Sequence, residues 1–237
     1  DAALPEQRAL SELAVHAGLA PWGVPGLDRA PHLFERAVLA AIGDEHAAGG
    51  ACSVAFNLRA LEQASMGLRE RLSSEHWGLI RHMRESFAQG LRPLAPQELP
   101  TRQLVLAALD RLALQLAAET GAQTDRMTRD HGWRLLTVGR LIERLMGLAT
   151  RWQCFLGAQA LGHAAGVELL LDLADSLITF RARYQRHEDL LPLTELLVLD
   201  STNPRSLAGV LRRLRTEIGK LPGPPETLQP FLALLPA

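Results

Sequence analysis

Thr128-Arg129-Asp130-His131-Gly132-Trp133-Arg134-Leu135-Leu136-Thr137-Val138-Gly139-Arg140-Leu141-Ile142-Glu143-Arg144-Leu145-Met146-Gly147-Leu148 is the stretch on which the fold turns. Its apolar residues follow helical rather than alternating spacing and face nearly every direction. A helix that is apolar all round is ordinarily buried in a bundle. Thr128 is placed to cap it, and the helix is expected to run from about Arg129 into the 150s. Yet it also carries Asp130, Arg134, Arg140, Glu143 and Arg144. Trp133, Leu136, Arg140, Glu143 and Gly147 form one stripe, because residues three or four apart share a helix face. Charges held in a bundle interior call for partners or ligands, since an unpaired buried ion is costly.

Two other helices are placed to meet them. After Ser53, Val54, Leu58, Leu61, Ser65, Leu68 and Leu72 recur at steps of four and three, with Arg59, Glu62, Met66 and Arg69 beside that seam. A long helix is expected from Val167 to His187, with a core-facing line Val167, Leu170, Ala174, Leu177, Arg181 and Tyr184. Arg181 then stands in an apolar position and is expected to be at least half buried against Glu143, Glu75 or Asp130. Ser73 or Ser74 caps a helix with Glu75 in its first turn, and Thr101 caps one closed by Gly121. Pro and Gly runs at 21–26, 90–96 and 222–225 separate further blocks, including helices near 5–18 and 31–43. Asn203-Pro204 opens a helix ending near Lys220. No segment reads as a strand. The expected fold is all-α, a multi-helix bundle of mostly antiparallel helices. An echo between Arg71-Leu72-Ser73-Ser74-Glu75-His76-Trp77 and Arg126-Met127-Thr128-Arg129-Asp130-His131-Gly132-Trp133 suggests two similar hairpins.

Composition agrees. Leu and Ala far outnumber β-branched and aromatic residues among the 237. The 25 basic and 26 acidic residues leave a net charge of -1, against a general nucleic-acid binder, which needs a clustered basic face. No apolar run is long enough to span a bilayer, and no signal peptide is recognised. Cys52 and Cys154 are far apart without zinc spacing, so both are expected to be free thiols in a reducing, cytoplasmic setting. The chain starts at Asp1 without a methionine, as a domain of a longer polypeptide would.

The eight histidines show neither an H-E-x-x-H nor a di-iron Glu-x-x-His pattern, so no metal is expected. Neither a Gly-rich phosphate loop nor a G-x-S-x-G turn is present, and no cofactor is expected. Cys154, beside Trp152 and Phe155, reads as an inert core thiol. The arginine-rich lines suit a carboxylate or phosphate, because guanidinium binds such groups through two parallel bonds. Equally open is an ion-pair network that only fixes helix register.

At these charged stretches the sequence resembles the alpha-E domain family. Leu72-Ser73-Ser74-Glu75-His76-Trp77 resembles its L-S-S-E-x-W element, and 127–136 its M-x-R-D-x-G-W-x-F-L element. Gly139-Arg140-Leu141-Ile142-Glu143-Arg144 resembles its G-R-x-x-E-R segment. Ile178-Thr179-Phe180-Arg181-Ala182-Arg183-Tyr184 and Leu199-Asp200-Ser201-Thr202-Asn203-Pro204-Arg205-Ser206 resemble two further blocks. The five lie in order between about residues 52 and 215. The resemblance implies an all-α domain beside or fused to a circularly permuted ATP-grasp protein, with transglutaminase-like proteins as companions and peptide amide chemistry as the setting. Family members begin with an earlier helix carrying its own E-R pair, which is not recognised in residues 1–50. Residues 1–50 are therefore read as a divergent or truncated helical segment, and 51–237 as the alpha-E-like bundle.

The leading expectation is a helical domain that binds no nucleotide and serves an ATP-grasp amide ligase. Its expected interior site for an anion, peptide or carboxylate substrate comprises Glu75, Asp130, Arg134, Arg140, Glu143, Arg144, Arg181, Arg183 and Tyr184. The alternatives are a stand-alone enzyme using Glu75, Asp130 or Glu143 as general acid or base, and a purely structural module.

Overall fold

The computed structural model describes residues 4–47, 52–92, 98–184, 190–223 and 225–235. The helices are α1 (Pro5–His16), α2 (Pro31–Ala41), α3 (Val54–Met66), α4 (Ser74–Gly90), α5 (Arg102–Arg126), α6 (His131–Gly157), α7 (Ala164–Leu173), α8 (Leu177–Tyr184), α9 (Leu190–Thr194), α10 (Leu207–Ile218) and α11 (Pro225–Leu234). Among the described residues there is no strand, as the Leu/Ala composition and periodicity required. Short 3₁₀ turns precede α4 and α7, and a π-helical turn, Glu195–Leu199, continues α9.

The chain forms two compact units, one of Asp1–Leu13 with Arg129–Ala237 and the other of Ala14–Thr128. Neither division coincides with the boundary expected near residue 50. That boundary rested on the family resemblance, in which no early E-R helix was recognised within residues 1–50, and 48–51 lie outside the described residues.

In the 14–128 unit, α3, α4 and α5 pack around Leu58, Ile80, Met83, Phe87, Val105 and Leu112. Their starts are set locally. Ser53 Oγ accepts from Phe56 N at 3.1 Å, Ser73 Oγ from His76 N at 3.1 Å, and Thr101 Oγ1 from Leu104 N at 3.4 Å. The α3 seam holds through Ser65, then stops at Gly67, leaving Leu68 exposed. Conversely α5 runs past Gly121 to Arg126. The roughly 1 kcal/mol cost of a helical glycine is outweighed where neighbouring turns, including buried Glu119, pack inward.

In the other unit α6 spans two cores. Val138, Leu141 and Leu148 meet Val210, Leu214 and Ile218 of α10. Further along, Trp152, Cys154 and Phe155 meet Val167, Leu170 and Phe180. The α6 cap is Asp130, not Thr128: its Oδ1 accepts from Trp133 N at 3.1 Å. The expected helix from Val167 to His187 is two helices. α7 ends at Leu173, Asp175 adopts a left-handed φ of 48°, and α8 starts anew at Leu177. That break resets the helical phase, so Phe180 faces the core where Arg181 was expected. Residues 185–189 are outside the described set.

Candidate functional site

α6 buries the line Val138, Leu141, Leu145, Leu148 and Trp152. Arg134 sits one turn before this line. It is accordingly half-buried and meets Glu217 of α10 at 3.4 Å, and Lys220 Nζ bonds the same carboxylate at 2.9 Å. This cluster staples the end of the α6–α10 seam; its carboxylate is already taken.

Arg144 follows Leu141 by one turn, on the flank of the seam. Beside it a groove of about 310 Å³ opens between α6 and α10, walled by Leu141, Arg144, Val210, Arg212, Arg213 and Thr216 and closed by Ser201, Thr202 and Pro204. None of its lining residues is acidic. Arg144, Arg212 and Arg213 are exposed, and no carboxylate among the described residues pairs with them. Two turns beyond Arg144, Arg151 is half-buried; burial, and then repulsion from Arg144, push its guanidinium below its ordinary pKa. Positive charge is thus concentrated here and not cancelled internally, which favours an anionic ligand.

The groove's end is rigidly built. Arg183 Nη1 donates to Asp200 Oδ2 at 2.6 Å, and Asp200 Oδ1 accepts from Thr202 N at 2.9 Å and Thr202 Oγ1 at 2.6 Å. The Thr202 and Arg183 bonds hold the Asp200 carboxyl well below the usual carboxylate range. Asn203 Nδ2 donates to the Leu196 carbonyl at 2.9 Å, and Ser206 Oγ caps α10 by accepting from Gly209 N at 2.8 Å. Gly209 is required by close approach. A Cβ there would lie 3.0 Å from Ser206 Oγ and from the Asn203 carbonyl carbon, and closer still to its oxygen.

The nine residues expected to form one interior site divide between the two units and serve different local roles. Glu75, 79% exposed, belongs to the 14–128 unit and pairs with Arg126. Asp130 is the α6 cap, and Arg134 is part of the staple. Arg140 and Glu143 are exposed, not interior. α6 is amphipathic after all, with Leu135 59% and Met146 58% exposed. Arg181 is 61% exposed and pairs with Glu168 of α7 at 2.6 Å, which corrects both its burial and its partner. Arg183 fixes Asp200. Tyr184 packs on Phe180 with ring centroids 5.2 Å apart, and burial followed by Glu195 pushes its phenol up. Of the nine, Arg144 alone lines the groove. Arg212 and Arg213 were missed because they read as an ordinary exposed helix face. Ser201 and Thr202 stood within a recognised block but had no partner until the chain folded.

The 14–128 unit holds its own polar clusters. Arg84 bridges Glu45 (2.8 and 2.9 Å) and Glu62 (2.5 Å). His76 Nε2 and Glu119 Oε1 lie 2.6 Å apart, with side chains 2% and 6% exposed. Gln123 also bonds Glu119 Oε1, while Glu119 Oε2 is buried with no hydrogen-bond partner among the described residues. Both cysteines are free thiols; Cys154 is buried, which raises its pKa. Among the described residues no three His, Cys, Asp or Glu side chains gather as a metal ion requires, and no helix is long and apolar enough to cross a membrane.

Comparison with known proteins places these features in a family. Uncharacterized protein Rv2567 of Mycobacterium tuberculosis (strain ATCC 25618 / H37Rv) is 28% identical over 174 residues, covering 72% of this chain and 20% of that protein. Uncharacterized protein Mb2597 of Mycobacterium bovis (strain ATCC BAA-935 / AF2122/97) matches with the same identity and coverage. The chain therefore matches about a fifth of the length of these curated relatives. No solved structure matches. The model of the Alpha-E family, described as a predicted alpha-helical domain with a conserved ER motif, matches residues 9–234. Glu143-Arg144 in α6 is one Glu-Arg pair in that range, and Glu35-Arg36 in α2 is another, inside the segment read as divergent. With nearly its whole length matched, the chain belongs to the Alpha-E family.

Proposed function

We propose that this chain is a ligand-holding helical domain of an ATP-grasp amide (peptide) ligase system. It binds no nucleotide itself and presents a carboxylate-bearing substrate from the α6–α10 groove to a circularly permuted ATP-grasp protein or fused domain. The single observation that carries this reading is the groove in which Arg144, Arg212 and Arg213 have no acidic partner among the described residues. Guanidinium binds a carboxylate through two parallel charge-assisted bonds, so such a groove is suited to hold an acyl donor or acceptor. The absence of an acidic side chain from the groove lining counts against a stand-alone enzyme working by a buried Glu or Asp. The free thiols fit a cytoplasmic setting. A transglutaminase-like protein is a further companion in this reading.

The test is reconstitution with an ATP-grasp companion, reading amide product. Arg144→Met removes charge while keeping bulk at an exposed position, so the fold should survive within about 1 kcal/mol. Product formation should drop at least about tenfold, the worth of one charge-assisted pair. Full activity in a well-folded Arg144→Met protein would remove the groove from the function.

A further inference from the structure

We propose that the groove's ligand is a dicarboxylate of one or two amino-acid units, a glutamate or aspartate residue presenting both its α-carboxylate and its side-chain carboxylate. This rests on the carboxylate reading of the groove and narrows it.

Three features point this way. The first is charge balance. A single carboxylate satisfies one guanidinium bidentately, and two further cations in the groove lining would be left without a counter-charge there. Arg151, two turns beyond Arg144, has its pKa pushed down by burial and then by Arg144, so a further like charge lies near the groove on the same helix.

The second is placement. Arg144 comes from the α6 wall and Arg212 and Arg213 from the α10 wall. Consecutive helical residues leave the axis about 100° apart, and Gly209 and Thr216, which mark the α10 wall, are separated by about 10 Å of helical rise. The trough is thus about 10 Å long on the α10 side, and its three cations enter it from two helices and, on α10, in two directions. Two separated carboxylates match a trough better than one compact dianion.

The third is the donor set. A phosphate site at a helix start uses free backbone N–H groups. Here the amides of Gly209 and Val210, the first-turn residues that line the groove, are taken by Ser206 Oγ at 2.8 Å and Ser206 O at 3.0 Å. Thr202 Oγ1 is committed to Asp200, while the Ser201 hydroxyl makes no hydrogen bond among the described residues and is available to a ligand. Size sets the upper limit. At about 310 Å³ the groove is at the bottom of the roughly 300–1,000 Å³ range of small-ligand pockets, room for a residue or two.

The experiment is calorimetric titration of the 237-residue chain at low ionic strength, where charge pairs are least screened. The probes are N-acetylglutamate, its near-isostere N-acetylglutamine and inorganic phosphate. N-acetylglutamate should bind at least about tenfold more tightly than N-acetylglutamine, and phosphate more weakly than N-acetylglutamate. Arg144→Gln and Arg213→Gln, both at exposed positions, should each bring the glutamate-to-glutamine ratio toward one. Equal or weaker binding of N-acetylglutamate relative to N-acetylglutamine, with both lost in Arg144→Gln, would overturn the dicarboxylate inference and leave the carboxylate site intact. Preferential binding of phosphate, or binding of none of the three, would overturn both. The wild-type ratio decides the matter even if a variant does not fold.

Discussion

Gly209→Ala separates local helix chemistry from tertiary geometry, because the two predict opposite signs. Gly209 is the third residue of α10, and alanine is favoured over glycine inside helices by up to about 1 kcal/mol. By that reasoning the substitution stabilises. The structure says otherwise. The new methyl would meet Ser206 Oγ and the Asn203 carbonyl carbon at 3.0 Å, with the carbonyl oxygen nearer still. Two of these three atoms are backbone. Asn203 is itself pinned by its side-chain bond to the Leu196 carbonyl, and Ser206 by its cap on Gly209. Neither is able to swing aside cheaply. Overpacking of this kind costs about 1–3 kcal/mol, occasionally more, which exceeds the helix gain at its upper end. A net loss of about 1–2 kcal/mol is expected, or a fall in Tm of about 2–8 °C for a chain of this size. Calorimetry on the variant measures it. Displacement of the Asn203 turn should also distort the Ser201–Pro204 end of the groove and weaken N-acetylglutamate binding. A Tm equal to or above wild type would show that the loop yields freely, and would refute the claim that it is a rigid end wall.

His76→Leu leaves Glu119 buried without its partner and should destabilise by about 3 kcal/mol, as for other broken buried pairs; a loss below about 1 kcal/mol in urea unfolding would show the pair to be dispensable. Asp200 has a depressed folded pKa, so its stabilising contribution is present above the ordinary carboxylate range of about 3.9 and is lost only as pH falls through the lower folded value. Carboxyl-carbon NMR should accordingly find Asp200 still ionised at pH 4, and protonation by then would contradict the Arg183–Asp200–Thr202 arrangement. Arg181→Ala, at an exposed site, should change stability by no more than about 0.5 kcal/mol, and a loss of several kcal/mol would restore the core-facing role that the structure denies it. The isolated chain should show no magnesium-dependent ATP binding in calorimetry; stoichiometric binding would contradict its place as a non-nucleotide partner.

Helix identity was legible in the chain because it is a local property. The cap at Thr101, the cap at Ser73 (with Ser74 as the other candidate), and the spacing of the α3 seam to Ser65 act within a few residues and are visible without a partner. The order of the five recognised blocks likewise needed only the chain, and it located Arg144 and the Ser201–Pro204 turn. Burial was less readable. Arg181 was assigned to the core by extending one helix across Ala174-Asp175-Ser176, where the left-handed Asp175 shifts the phase and brings Phe180 inward instead. α6 looked apolar on every side, yet which of its faces is covered depends on where α10 packs, and Leu135, Ile142 and Met146 were left outside. The groove is the clearest case. Arg144 and Arg212 stand on separate helices of one unit, and neither carries any local sign of the other. Their sequence neighbourhoods determine that each is a helical arginine, but Arg144 reads from sequence as interior and only the fold leaves it exposed. Only packing of α6 on α10, driven by burial of Leu141, Val210 and Leu214, brings like charges to one trough without an acid between them.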